Sequence, residues 1–156
     1  MAKITNEKYG VASCNGEISV LKKMGVPERN IINISRCNEL FNRMMLGDIL
    51  CVSSVKSFAI SSYDLVNKMR FLSNRGIEFQ SGNERYLSFS AIKPLSVVTA
   101  QTLKNIAQRE YEFVQYIQKS GLSNSDKAKL ISKIQYESLT DIVLVFNNNG
   151  IRKKGN

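Results

Sequence analysis

Short apolar runs alternate with segments of helical periodicity, and this alternation constrains the fold more than any other feature of the chain. The first three pairs are runs at 8–14, 30–34 and 49–52, followed by helical segments at 17–24, 38–46 and 61–75. Further extended pieces begin at Ile77 and at Tyr86. Strands that alternate with helices at this spacing are typical of α/β domains. We therefore expect a three-layer α/β domain with a mostly parallel sheet of four or five strands.

The pattern changes after Pro94. Residues 98–119 carry apolar side chains at helical spacing without Gly or Pro, which predicts a helix roughly 33 Å long. A second helix is expected over 123–137, while the apolar stretch 142–146 fits a strand or a buried helical turn equally well. We accordingly divide the chain into an α/β domain (1–97), a long helix (98–121) and a short helical extension with a basic tail (122–156).

The charge of the chain favours a polyanionic partner, nucleic acid above all. Its 22 Lys and Arg against 13 Asp and Glu give a formal charge of +9; such an excess governs association and solubility rather than fold. Histidine is absent from the sequence, which excludes Ser-His-Asp and Cys-His catalysis and the commonest metal ligand. We expect no metal and no cofactor, and the spacing of the glycines matches neither common nucleotide-binding fingerprint.

Cysteine usage and the N-terminus indicate an intracellular protein. Cys14, Cys37 and Cys51 are odd in number and scattered, so we expect buried free thiols rather than a disulfide framework. No apolar run approaches the roughly 20 residues of a membrane span. The first residues lack the apolar stretch of a signal peptide. We therefore expect a cytoplasmic protein that does not associate with membranes.

Five segments, taken in order, resemble one known family. They are Tyr9-Gly10-Val11-Ala12-Ser13, Val20-Leu21-Lys22-Lys23-Met24-Gly25-Val26, Glu39-Leu40, Leu46-Gly47-Asp48-Ile49-Leu50-Cys51-Val52, and Asp64-Leu65 through Arg75-Gly76-Ile77-Glu78-Phe79. Together they resemble the catalytic domain of the serine recombinases, the resolvase/invertase family, over about residues 8–115. The resemblance rests on the order and spacing of the segments, because each segment alone occurs in many α/β proteins.

The resemblance implies a resolvase-like fold and phosphoryl transfer in DNA. Ser13 takes the position of the nucleophilic serine, which in this family attacks a backbone phosphate and becomes covalently linked to DNA. A cluster of arginines stabilises the phosphate charge without metal or histidine, since the guanidinium fork matches phosphate oxygens. The 98–119 helix corresponds to the helix through which family members form dimers or higher oligomers.

The family's charged residues are largely replaced in this chain. Its arginines fall here on Val11 two residues before the serine, on Ser57 and Ile60 after the third strand, on Cys37 before the second helix, and near Phe113 in the long helix. The family aspartate falls on Lys56, while Arg36 and Arg109 lie close to two of the vacated positions. Loss of one such donor costs about 10²–10³ in rate, and serine is a weak nucleophile without an activator.

Candidate DNA-binding residues remain elsewhere. Phosphate contacts are expected from Arg36, Lys56, Arg109, Arg152, Lys153 and Lys154. The residues after 121 are too few and lack a convincing third helix or a basic recognition face, so independent sequence-specific reading of DNA by a helix-turn-helix domain is not expected.

Three functions follow as hypotheses. The first is a catalytically degenerate resolvase-like protein that associates with DNA or with recombinase partners as a dimer. The second is a protein-interaction or regulatory module without DNA activity. The third is an active serine recombinase that cleaves and rejoins DNA through Ser13, with Arg36, Lys56 and Arg109 as a rearranged set of cations.

Overall fold

The computed structural model describes residues 6–147 and contains one sheet of four parallel strands. The strands are β1 (Lys8–Ala12), β2 (Ile31–Asn33), β3 (Ile49–Val52) and β4 (Glu78–Ser81), in the spatial order β2-β1-β3-β4. Tyr9 lies opposite Leu50 in β3, and Leu50 lies opposite Phe79 in β4. The predicted α/β class with a parallel sheet is confirmed.

In the part of the chain that the structure describes, five α-helices surround or extend this sheet. They are α1 (Asn15–Lys23), α2 (Cys37–Arg43), α3 (Ser62–Asn74), α4 (Val97–Gln118) and α5 (Asn124–Phe146). Short 3₁₀ turns occur at Glu28–Asn30, Ile34–Arg36, Val55–Ser57 and Arg85–Leu87. Ser61, Ser96 and Ser123 begin α3, α4 and α5, and each side chain accepts a hydrogen bond from the backbone N–H three residues later, which satisfies an otherwise unpaired donor.

The two faces of the sheet are covered unequally. On one face Ala12 and Cys51 pack with Leu21 and Val26, so that α1 shields only a small apolar cluster. The main core lies on the other face, where buried residues of α2 and α3 meet those of α4 and α5. Its members include Val11, Leu40, Leu50, Val52, Phe58, Leu65, Leu72, Phe79, Leu103, Leu139 and Ile142. The face of the sheet that carries α1 is therefore the less covered of the two, and we call it the open face.

Three expectations need correction. Residues 86–89 are not a fifth strand: the chain turns at Arg85–Leu87 and forms a single antiparallel bridge between Phe79 and Phe89. The segment after 123 is one continuous helix through Phe146, because its apolar residues at Leu139, Ile142 and Phe146 reach the main core at helical spacing. The thiol of Cys14 is exposed, whereas those of Cys37 and Cys51 are buried.

Helices α4 and α5 form a long helical hairpin. They pack against each other and also against α3. At the turn between them the Lys127 ammonium group donates to the Gln118 carbonyl oxygen at 2.9 Å. Within residues 6–147, no helix is both long and apolar enough to cross a membrane. The basic stretch 152–154 lies outside the described residues.

Candidate functional site

The topology of the sheet places a crevice where β1 and β3 end. The chain passes from β1 to β2 on one side, and β3 returns on the other side of β1. In open parallel sheets, ligands bind beyond the carboxyl ends of the strands at such a switch point. Ser13 follows β1 directly, and Ser53 follows β3 directly. The two serines therefore flank the crevice that sheet topology marks as the candidate site.

The carboxylate of Glu17 occupies this crevice. Glu17 lies in the first turn of α1 and accepts hydrogen bonds from the Ser13 amide at 2.6 Å and from the Ser13 hydroxyl at 2.8 Å. Its second oxygen accepts from the Ser53 hydroxyl at 2.9 Å and from the hydroxyl of Ser57. Three hydroxyls and one backbone amide thus converge on an acidic side chain of the same domain.

The local environment keeps Glu17 ionised. Burial by itself favours the neutral acid, but hydrogen bonds from Ser57, from the amide and hydroxyl of Ser13 and from Ser53 outweigh it, so the pKa of Glu17 lies below its ordinary value. A negative charge therefore stands beside the Ser13 hydroxyl at neutral pH. This charge repels an approaching phosphate.

Glu17 is also poorly suited to activate Ser13. A general base works best when its pKa lies near the operating pH, and hydrogen bonding moves the pKa of Glu17 in the opposite direction. Phosphoryl transfer depends chiefly on donors and cations directed at the phosphate oxygens. Among residues 6–147, Glu17 is the hydrogen-bond partner of the Ser13 side chain. The geometry thus supplies an acceptor where this chemistry needs donors.

A second buried carboxylate holds the adjoining turn. Glu84 is fully buried and accepts from the Val55 amide at 2.7 Å, from the Ser81 hydroxyl at 3.0 Å and from the Ser54 hydroxyl at 3.1 Å. These bonds connect the end of β4 to the 3₁₀ turn after β3. Because that turn carries Ser57, Glu84 positions one of the hydroxyls that bind Glu17.

The predicted cations lie apart from these contacts. The Arg36 guanidinium pairs with Glu39 at 3.0 Å on the surface. The Lys56 ammonium group lies over the Tyr136 ring, 4.7 Å from its centroid. Arg109 is exposed on α4. In the described part of the chain, none of the three forms a hydrogen bond or ion pair with Ser13 or Glu17.

Sequence reasoning located Ser13 but missed Glu17, Ser53, Ser57 and Glu84. Two signals were present. A glutamate four residues after Ser13 falls in the first turn of the helix that follows the serine. The Ser53-Ser54 pair follows an apolar strand at the edge where parallel sheets bind ligands. Within residues 6–147 no group of three or more Cys, Asp or Glu side chains is arranged to hold a metal ion.

Comparison with protein-family models finds no match for this chain. No curated protein matches it either.

Proposed function

We propose that the chain is a catalytically inactive, resolvase-like protein that associates with DNA as a dimer. The contact between Glu17 and Ser13 carries the first part of this proposal. The Ser13 hydroxyl donates to a carboxylate at 2.8 Å. The serine recombinases have arginines where this chain has Val11, Ser57 and Ile60. Ser13 therefore lacks the donors that stabilise a pentavalent phosphate.

The charge of the α4–α5 hairpin supports the DNA association. Residues 119–133, at the turn of the hairpin, contain four lysines and one aspartate, a net charge of 4 − 1 = +3. The side chains of Lys119, Lys129 and Lys133 are exposed. Clustered exposed lysines favour binding to phosphate backbones by releasing counterions, without reading sequence. The hairpin is therefore the proposed DNA-contacting element.

Exposed apolar residues of α4 support self-association. Val97 and Val98 are 85% and 76% exposed, and Phe113 and Tyr116 are 53% and 76% exposed. Val97 and Val98 begin α4, whereas Phe113 and Tyr116 lie near its end. Exposed apolar surface along one element often marks an interface with another protein. Burial in a dimer would remove this surface from water. The variants Val98→Glu and Tyr116→Glu should shift a sedimenting dimer to monomer, and unchanged sedimentation would exclude α4 as the interface.

A gel shift with duplex DNA at 50 and 200 mM salt tests the DNA part. The variant Lys119→Gln/Lys129→Gln/Lys133→Gln is compared with Lys22→Gln/Arg43→Gln/Arg70→Gln, which removes the same charge from exposed positions on α1, α2 and α3. We expect the hairpin variant to bind more weakly and to lose roughly 0.9 from the slope of log K against log salt for each phosphate contact removed. The control should keep most of the slope.

Equal losses of DNA affinity in the two variants would mean that binding depends only on the overall positive charge of the protein. Absence of binding at 50 mM salt would overturn the DNA association and favour the second candidate, a protein-interaction module. The exposed apolar residues of α4 are the observation that supports this second candidate.

A further inference from the structure

A large groove lies on the open face of the sheet, beside α1. Its volume is about 990 Å³, within the range of small-molecule sites. Helix α1 has only nine residues and covers β1 and β3, so the same face of β4 is left without a helix. The segment after Phe89 closes the far side of the groove through Lys93, Pro94 and Leu95. The groove is separate from the crevice at Ser13 and Glu17.

The strand that borders the groove is not available for pairing with a peptide. The N–H and C=O groups of Phe79 are bonded to Phe89, and the Ser81 amide donates to the Ser88 hydroxyl at 3.0 Å. The outward-facing amides of β4 therefore have partners already. Addition of a β-strand to β4 at these positions is therefore excluded as the mode of binding.

Charge on the groove favours an anion. Lys23 from α1, Arg85 from the turn after β4 and Lys93 from the following segment line it; among the described residues, Glu78 contributes the one carboxylate of the lining. That carboxylate accepts from the Gln80 amide nitrogen at 2.6 Å. The ammonium groups of Lys23 and Lys93 form no hydrogen bond or ion pair within residues 6–147. Two lysines from separate elements are thus available to one ligand.

The remaining lining suits a planar, partly apolar group. The ring of Tyr86 borders the groove and is 53% exposed. Val20, Met24 and Pro94 add apolar surface nearby. Stacking on an aromatic side chain favours the binding of any base, because every base has a π-face. A ligand that joins an aromatic base to phosphate matches both the ring and the lysines.

We propose that this groove binds a nucleoside phosphate, with the phosphates at Lys23 and Lys93 and the base against Tyr86. The proposal is independent of DNA association through the hairpin, because the two sites share no residue. A mononucleotide or dinucleotide fits the volume, whereas an uncharged nucleoside lacks the groups that the lysines recognise.

Isothermal titration calorimetry with ADP, adenosine and pyrophosphate tests the proposal on the full chain. We expect ADP to bind more tightly than either fragment. The variants Lys93→Gln and Tyr86→Ala, both at exposed positions, should each weaken ADP about tenfold. Lys22→Gln, one residue before Lys23 and outside the lining, should bind as the wild type does.

Several outcomes would overturn the proposal. They are absence of ADP binding, equal affinity for adenosine and ADP, equal affinity for pyrophosphate and ADP, and an equal loss in Lys22→Gln. The hairpin variant Lys119→Gln/Lys129→Gln/Lys133→Gln should retain ADP affinity. This separates failure of the nucleotide site from failure of the DNA-contacting hairpin.

Discussion

The hydroxyl of Ser13 donates a hydrogen bond of 2.8 Å to the carboxylate of Glu17, four residues further along the chain. The same carboxylate accepts from the Ser13 amide and from hydroxyls after β3. This contact places an internal anion beyond the carboxyl ends of β1 and β3. It connects the start of α1 to the turn after β3 and gives Ser13 a structural role.

Replacement of Glu17 should destabilise the protein. Glu17→Ala leaves the hydroxyls of Ser53 and Ser57, both buried, without their carboxylate acceptor, which costs about 1–3 kcal/mol. Glu17→Gln retains one acceptor oxygen and should cost less. Urea unfolding at pH 7 measures both losses as shifts in the midpoint. Equal stability of the wild type and Glu17→Ala would contradict the hydrogen-bonding scheme.

The contribution of Glu17 to stability should depend on pH. Because its pKa in the folded protein is lowered, the contribution is complete above the ordinary glutamate pKa and is lost as the pH falls through the folded value. The stability difference between the wild type and Glu17→Gln should therefore shrink as the pH falls below the ordinary glutamate pKa of about 4.5. Thermal unfolding at several pH values measures it. A difference that grows on acidification would indicate a raised pKa instead.

Glu84 should contribute more to stability than surface carboxylates do. Glu84→Ala leaves the buried Val55 amide and the Ser81 hydroxyl without an acceptor, and each unsatisfied group costs about 1–3 kcal/mol. Glu39→Ala, which removes a surface ion pair with Arg36, is the matched control and should cost less than about 1 kcal/mol. Similar urea midpoints for the two variants would show that the Glu84 network contributes little.

The three cysteines should differ in reactivity. Burial raises the pKa of Cys51 to about 11, against a lowering influence of Lys8, and burial raises the pKa of Cys37 as well. Since the thiolate is the reactive form, iodoacetamide at pH 8 should label the native protein once, at the exposed Cys14. Intact mass spectrometry counts the adducts. Rapid labelling at two or three sites would place a second thiol at the surface.

Local patterns were sufficient to predict most of the sheet and its helices. The continuous apolar run 49–52 coincides with β3, since a strand covered on both faces contains no polar interruption. The end of α3 was predicted from Arg75-Gly76, and Gly76 has the positive φ of 71° that a helix terminus often requires.

The predictions from sequence failed where tertiary contacts decide the structure. The segment at 86–89 has the composition of a strand, but among residues 6–147 its backbone pairs with β4 at Phe89 alone. The stretch 142–146 was ambiguous because apolar periodicity over five residues fits a strand or a helix. Glu17 was missed because its partners Ser53 and Ser57 are distant in sequence, and only the packing of α1 beside the end of β3 brings them together.

Whether Ser13 is catalytically silent is tested by trapping a covalent protein–DNA complex. Wild type, Ser13→Ala and Glu17→Gln are each incubated with supercoiled and with nicked DNA, denatured, and analysed by gel electrophoresis for protein-linked strands. If Ser13 is catalytically silent, we expect no covalent product and no cleavage with any of the three proteins. A protein-linked strand formed by the wild type and abolished by Ser13→Ala would contradict it and establish an active recombinase.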